Sequence, residues 1–388
     1  MDRLHDLIQR YCPNGVVFAR IADIADISIG EFVHKSKQSP DGKYPVYNGG
    51  TTNTGFYDDF NRTANKIIIS ARGANAGYVN RVFTNFWSGN SCYSLDVAST
   101  NADWNFVFYC LKNGEKKLLG EQQKGGIPAV SKKQVEQFRI PLPPLAVQQE
   151  IVRILDSFTE LTAELTAELT ARRKQYEHYR DELLTFGDDV LKIPLCKLFK
   201  TRNGYTPSKT EPEFWSNGTV PWFRMEDIRE NGRILDHAIQ SVSSKAVKGK
   251  PFPANSIIVA TSATIGEHAL LTVESLANQR FTYLMVKDEY KEKVNIKYLF
   301  YYCFLLDKYC LSCLNQGNFA SVDMTKFNKF LFAVPSIEDQ NHIVAQLDRF
   351  NALCNDLTSG LPAEIAARQK QYEYYRDKLL TFKERETN

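Results

Sequence analysis

The sequence predicts a mixed α/β fold in which two globular α/β domains are each followed by a long coiled-coil helix, and three observations carry that expectation. The first is a long-period repeat. Phe138, Pro143, Gln148, Ile151, Val152, Leu155, Asp156 and Phe158 recur 192 residues later as Phe330, Pro335, Gln340, Ile343, Val344, Leu347, Asp348 and Phe350. Farther along, residues 171–186 match 367–382 at 13 of 16 positions with an offset of 196. The second is the pattern inside the repeat: Ile151, Leu155, Phe158, Thr162, Leu165, Leu169, Arg172, Tyr176, Tyr179 and Leu183 step by alternating fours and threes, as a coiled-coil seam does. The third is that each repeat follows a longer, turn-rich segment with short β-rich runs, 66–69 and 256–259.

These observations divide the chain into an N-terminal helix over 1–16, a globular domain over 17–144, a helix over 145–186, a second domain over 187–334 and a second helix over 335–388. In the N-terminal unit Leu4, Leu7, Ile8 and Tyr11 have helical spacing and Pro13-Asn14-Gly15 forms a turn, so it is expected to pack on neighbouring helix ends. The second seam runs Ile343, Leu347, Phe350, Cys354, Leu357, Leu361, Ile365, Arg368, Tyr372, Tyr375 and Leu379, its extra step of four absorbing the change of offset. Gly360 and Pro362 are expected to kink or break that helix. The domains themselves retain weak similarity, Asn65-Lys-Ile-Ile with Asn255-Ser-Ile-Ile and Tyr109-Cys110 with Tyr302-Cys303, as diverged duplicates would.

Composition narrows the class. Hydrophobic residues make up 43% and charged residues 24%, values of a globular protein. The longest apolar run, 298–306, is far below the roughly 18 residues of a bilayer span. The acidic start lacks a signal-peptide apolar core, so a cytoplasmic location with no membrane partner is expected. Eight dispersed cysteines suit free thiols, and Cys310-x-x-Cys313 lacks the further ligands of a zinc site. Both globular parts are basic (+4 each) and both helical parts acidic (−3 and −2), as expected if the globules touch a polyanion and the helices touch protein.

Motifs for chemistry are missing. There is no GxxxxGK[ST] phosphate loop, since Gly249-Lys250 runs into Pro251, and neither GxGxxG, Asn-Pro-Pro-aromatic nor HExxH occurs. Glu115-Lys-Lys117 with Asp103, or Glu289-Tyr-Lys291 with Asp236, could suggest a metal nuclease, but both strings lie in charged, turn-like stretches. No catalytic residue and no cofactor is therefore assigned. A non-catalytic DNA-binding role is the main expectation, and a coiled-coil assembly scaffold is the alternative.

The architecture, together with Gly125-Gly-Ile-Pro-Ala-Val130, Ile140-Pro-Leu-Pro-Pro144, Gln148-Gln-Glu-Ile-Val152 and the Tyr-Arg-Asp-x-Leu-Leu-Thr-Phe helix ends, resembles the specificity subunit of type I restriction-modification systems. Tyr47-Asn-Gly-Gly50, Ser70-Ala-Arg-Gly73 and Gly204-Tyr-Thr-Pro-Ser208 also look like strings of its recognition domains. The resemblance covers essentially the whole chain. It implies two target-recognition domains, each reading half of a bipartite site in double-stranded DNA, and helices forming an antiparallel coiled coil with pseudo-two-fold symmetry. It also implies two methyltransferase subunits docked on that frame, with motor-nuclease subunits joining them and all catalysis left to those partners. Leu161-Thr-Ala-Glu-Leu-Thr-Ala-Glu-Leu-Thr170 resembles a repeat that sets the half-site spacing in one branch of the family.

Base readout needs Arg, Lys, Asn or Gln on loops. Candidates in the first domain are Lys43, Arg72, Asn75, Arg81, Lys116, Lys117 and Lys124, and in the second Arg202, Lys209, Arg224, Lys245, Lys248, Lys250 and Arg280.

Overall fold

A computed structural model describes residues 2–119, 127–315, 320–355 and 360–386. The chain separates into two compact units, one made of 1–167 with 364–388 and the other of 168–363. The boundary falls within the central helix Leu145–Leu183, so each unit owns one half of it.

In the first unit an antiparallel sheet has the strand order Ala25–Ile29, Cys92–Val97, Lys66–Ser70, Val79–Val82. A smaller sheet has the order Gly55–Tyr57, Tyr44–Tyr47, Trp87–Ser88, its last pair parallel. Val17–Arg20 pairs with Arg139–Leu142 just before the central helix. The second unit repeats the plan. Its main sheet runs Phe199–Asn203, Phe281–Val286, Ser256–Ala260, His268–Leu271 and adds an edge strand, Ile234–Leu235. Its smaller sheet, Ser241–Val242, Val220–Phe223, Leu276–Ala277, again ends in a parallel pair, and Lys192–Pro194 pairs with Leu331–Ala333.

The two β-rich runs noticed in the sequence are the buried strands Lys66–Ser70 and Ser256–Ala260. Asn65 and Asn255 precede them with φ of 60° and 58°, a left-handed conformation that asparagine tolerates better than most side chains. The Tyr109/Tyr302 correspondence is corrected. Tyr109 donates to Asp156 (2.5 Å) and Tyr301 to Asp348 (2.6 Å), so the equivalent of Tyr109 is Tyr301, at the offset of 192 seen in the helices. Two adjacent tyrosines made the registers indistinguishable by sequence alone.

The same register organises the joint between globule and helix. Gln148 is fully buried: its Oε1 accepts from the Asp103 amide (2.8 Å) and its Nε2 donates to the carbonyls of Asn101 (2.8 Å) and Pro143 (2.6 Å). Gln340, equally buried, makes the matching three bonds to Asn295 (2.8 Å), Lys293 (3.0 Å) and Pro335 (2.9 Å). A side-chain amide that satisfies three buried backbone groups is costly to replace, because each would lose its partner without gaining water.

The seam pairs as expected within each unit. Phe158 stacks on Tyr375 with ring centroids 5.5 Å apart in the first, and Tyr179 stacks on Phe350 at 6.0 Å in the second. In the second unit Arg173 also donates to the Cys354 carbonyl, so the paired segments run antiparallel. The C-terminal repeat is two helices, Ile337–Asn355 and Leu361–Leu379, as Gly360 and Pro362 required. Leu4 of the N-terminal helix Asp2–Tyr11 is buried in one core with Ile151 and Leu379. Gly15, at φ +87°, lies so close to the Lys383 carbonyl that a Cβ would approach it to 2.5 Å. All eight cysteines are free and all but Cys196 are buried. Among the described residues no helix is long and apolar enough to cross a membrane.

Candidate nucleic-acid interface

In the first unit the loop strings meet at one end of the sheets. Ser70 Oγ donates to the Gly50 carbonyl (2.9 Å), which brings Tyr47-Asn-Gly-Gly50 against Ser70-Ala-Arg-Gly73. The turn after Ser70 is held by Gly73 N to Pro128 O (2.9 Å), Val130 N to Ala71 O (2.9 Å) and Gly77 N to Ser70 O (2.8 Å). Arg72 and Asn75 project from this turn and are exposed. The turn rests on the short helix Glu115–Leu119, where Lys116 and Lys117 are exposed and Glu115 accepts from the Val79 amide (2.7 Å). Lys43 is exposed at the start of Tyr44–Tyr47, its ammonium 5.2 Å from the Tyr44 ring centre. Lys124 lies outside the described residues.

Arg81 does not belong with these residues. It lies on the strand face packed against the helices, its guanidinium bound to Asp156 (3.3 Å from both Nη atoms) and to Asn105 (2.8 Å), and 4.3 Å from the centre of the Phe108 ring. The side chain is only 13% exposed, and with its donors spent on a carboxylate it has little left to offer DNA. The nuclease string loses its acids in the same way. Asp103 caps the helix Trp104–Asn113 and Glu115 is taken by Val79 and Lys112.

In the second unit the loop that follows Phe199–Asn203 runs against the smaller sheet, with Tyr205 N bonded to Ala277 O (2.8 Å) and the Trp215 indole donating to Ser208 O (2.9 Å). Around it gather Lys209, Arg224, Lys245 and Lys248. Lys209, Lys245, Lys248, Lys250, Arg202 and Arg280 are exposed. Lys245 pairs with Glu213 at 2.6 Å, a solvent-exposed contact that a phosphate could exchange. Arg202 stacks over Phe252 with its guanidinium carbon 4.9 Å from the ring centre. Arg280 lies on the turn after Asn278, whose side chain accepts its amide.

Arg224 is half-buried. Its backbone amide donates to Asp227 (2.6 Å) and its guanidinium carbon lies 5.5 Å from the centre of the Trp222 indole. It shares a depression of about 450 Å³ with Lys209, Trp215, Trp222 and Gln240. The sequence reading missed Gln240, Asp227 and the two tryptophans. Gln240 reaches Arg224 only through a sixteen-residue excursion whose path no local pattern reports.

The comparisons with known proteins agree with this duplicated plan. The type I restriction modification DNA specificity domain matches residues 13–172 and again 188–367. The chain is 37% identical over 336 residues to the type I restriction enzyme EcoR124I/EcoR124II specificity subunit of Escherichia coli, covering 79% of this chain and 81% of that one. It is 56% identical over 213 residues to the EcoprrI specificity subunit of the same organism, a match that spans 53% of each chain. The fold is shared with the type I restriction-modification S subunit of M. genitalium (TM-score 0.55, 19% identity, 94% of this chain and 96% of that one). It is shared as well with a chain from a structure on type I R-M complex assembly and conformational transition (TM-score 0.64, 15% identity, 95% and 98%). Two copies of one sequence domain on two copies of one fold leave a single conclusion: the chain belongs to the DNA-specificity family of type I restriction-modification systems.

Proposed function

We propose that each unit reads one half of an interrupted, non-palindromic site in double-stranded DNA, and that the helices set the spacing and carry two methyltransferase subunits, with motor-nuclease subunits joining the complex. Adenine methylation, ATP hydrolysis and cleavage fall to those partners. The observation that carries the reading is a repeated frame bearing unlike loops. Strand order, helix anchors and the Phe–Tyr stacks recur, whereas the residue after the first strand of each smaller-sheet parallel pair is Asn48 in one unit and Arg224 in the other. A constant frame presents each reader at a fixed height, and variable loops choose the base. The proposed DNA contacts are Lys43, Arg72, Asn75, Lys116, Lys117 and Lys124 in the first domain, with Arg202, Lys209, Arg224, Lys245, Lys248, Lys250 and Arg280 in the second.

The test is to express the chain with its cognate methyltransferase and sequence the host methylome. An interrupted adenine-methylation motif is expected; methylation without sequence preference overturns the reading in favour of an assembly scaffold. Spacing gives a second measurement. Leu161–Thr170 is helical throughout and the boundary between the units, 167/168, lies inside it. One further Thr-Ala-Glu-Leu unit lengthens the helix by about 6 Å, against about 3.4 Å per base pair. The methylated motif is expected to gain one or two unspecified base pairs, and an unchanged spacer refutes the ruler.

A further inference from the structure

We infer that Arg224 reads a guanine in the half-site of the second unit, with Gln240 addressing the adjoining base edge and Asp227 as the positioning residue that aims both. The inference rests on the reading of DNA by the second unit proposed above.

Asp227 is completely buried, and its two oxygens grip two separate backbone segments: Oδ2 accepts from Arg224 N and Oδ1 from Ile239 N, each at 2.6 Å. The residues carried by those segments, Arg224 and Gln240, line the same depression, and Trp222 N bonds Gln240 O across it (3.0 Å). The walls are fixed too. The Trp222 indole donates to Tyr205 O (3.1 Å), the Trp215 indole donates to Ser208 O (2.9 Å), and the two rings meet edge to face at 5.0 Å. Long side chains ordinarily lose rotamer entropy on binding, and a stacked guanidinium on an anchored backbone has lost much of it beforehand.

What is fixed is also uncommitted. The Arg224 side chain is 29% exposed, its Nε is shielded with no hydrogen-bond partner, and its nearest carboxylate, Glu226, is 4.0 Å away. Arg81 and Lys245, by contrast, already hold carboxylates at bonding distance. A guanidinium presents parallel donors, which match O6 and N7 of guanine in the major groove, the commonest specific arginine contact. Lys209, exposed on the rim, supplies a point charge for a phosphate.

The test uses the whole methyltransferase complex and a set of duplexes covering every base at each position of the wild-type motif. Arg224→Ala is expected to lose about 10- to 100-fold of discrimination at one guanine of one half-site, with the other half-site intact. Arg224→Gln, which keeps a side chain in the pocket, is expected to shift that position toward adenine, since glutamine pairs with adenine N6 and N7. Asp227→Asn is expected to blur that position and its neighbour together, and Lys209→Ala to weaken all duplexes alike. Unaltered discrimination in both Arg224 variants, or relaxation at a base other than guanine, overturns the inference and leaves the parent reading standing. A wild-type complex that methylates without sequence preference removes both.

Discussion

The two globule–helix joints have the same glutamine, tyrosine and aspartate, yet they are closed differently. In the first unit Arg81 reaches from the sheet to Asp156, bonds Asn105 and lies over Phe108. In the second unit the strand partner of Ile257, at the place where Arg81 faces Ile67, is Leu270. Asp348 is met there by Lys297 at 2.8 Å, and a cavity of about 830 Å³ lined by Arg180, Arg233, Tyr301 and Phe304 remains beside it. The helix-side groups are therefore the same in both joints, whereas the sheet-side closure differs. The first joint is closed by a planar guanidinium that meets Asp156, Asn105 and Phe108, the second by an ammonium that meets Asp348.

The strongest test of what the joints share is Gln148→Ala beside Gln340→Ala. Each is expected to destabilise its own unit by about 3 kcal/mol, since three buried backbone groups lose their partner in either case. Hydrogen exchange resolved by unit reads the two losses, and a large difference between them contradicts the equivalence of the joints.

What the joints do not share is tested by Arg81→Met and Lys297→Met. The first is expected to cost about 2 kcal/mol, because Arg81 is only 13% exposed and its loss takes a shared partner from both Asp156 and Asn105. The second is expected to cost under about 1 kcal/mol, as its pair is more than one-third exposed on both sides. Denaturant unfolding measures both, and equal costs deny the asymmetry.

The smallest effect concerns one turn. Gly73 and Ala263 occupy matching positions after the central strands with φ of +91° and +64°. A Cβ at Gly73 meets nothing within 4 Å, so Gly73→Ala is expected to cost about 1 kcal/mol from the backbone alone, and Ala263→Gly to recover up to a similar amount. Thermal melts of the two variants should move in opposite directions.

Much of this was legible beforehand. Gln148 and Gln340 stood out because they repeat at a fixed offset, and the seam residues Phe158, Tyr179, Phe350 and Tyr375 because their spacing follows one helix face. Pro362 announced the break in the C-terminal repeat. Arg81 was misread because a strand arginine beside Asn80 looks like a loop cation until the helix packed on it is known. Gln240 was invisible because its neighbour in space, Arg224, is distant in sequence.

The sequence by itself determined the duplication, the helical stripes and the two basic globules, since periodicity and composition record how each segment meets water along its own length. Only the tertiary structure decided which cations are spent on carboxylates and which remain available. Arg81 and Arg224 are the same residue with opposite fates. The difference lies in what distant segments bring within hydrogen-bond reach, Asp156 on the central helix in one case and the tryptophans and Gln240 in the other.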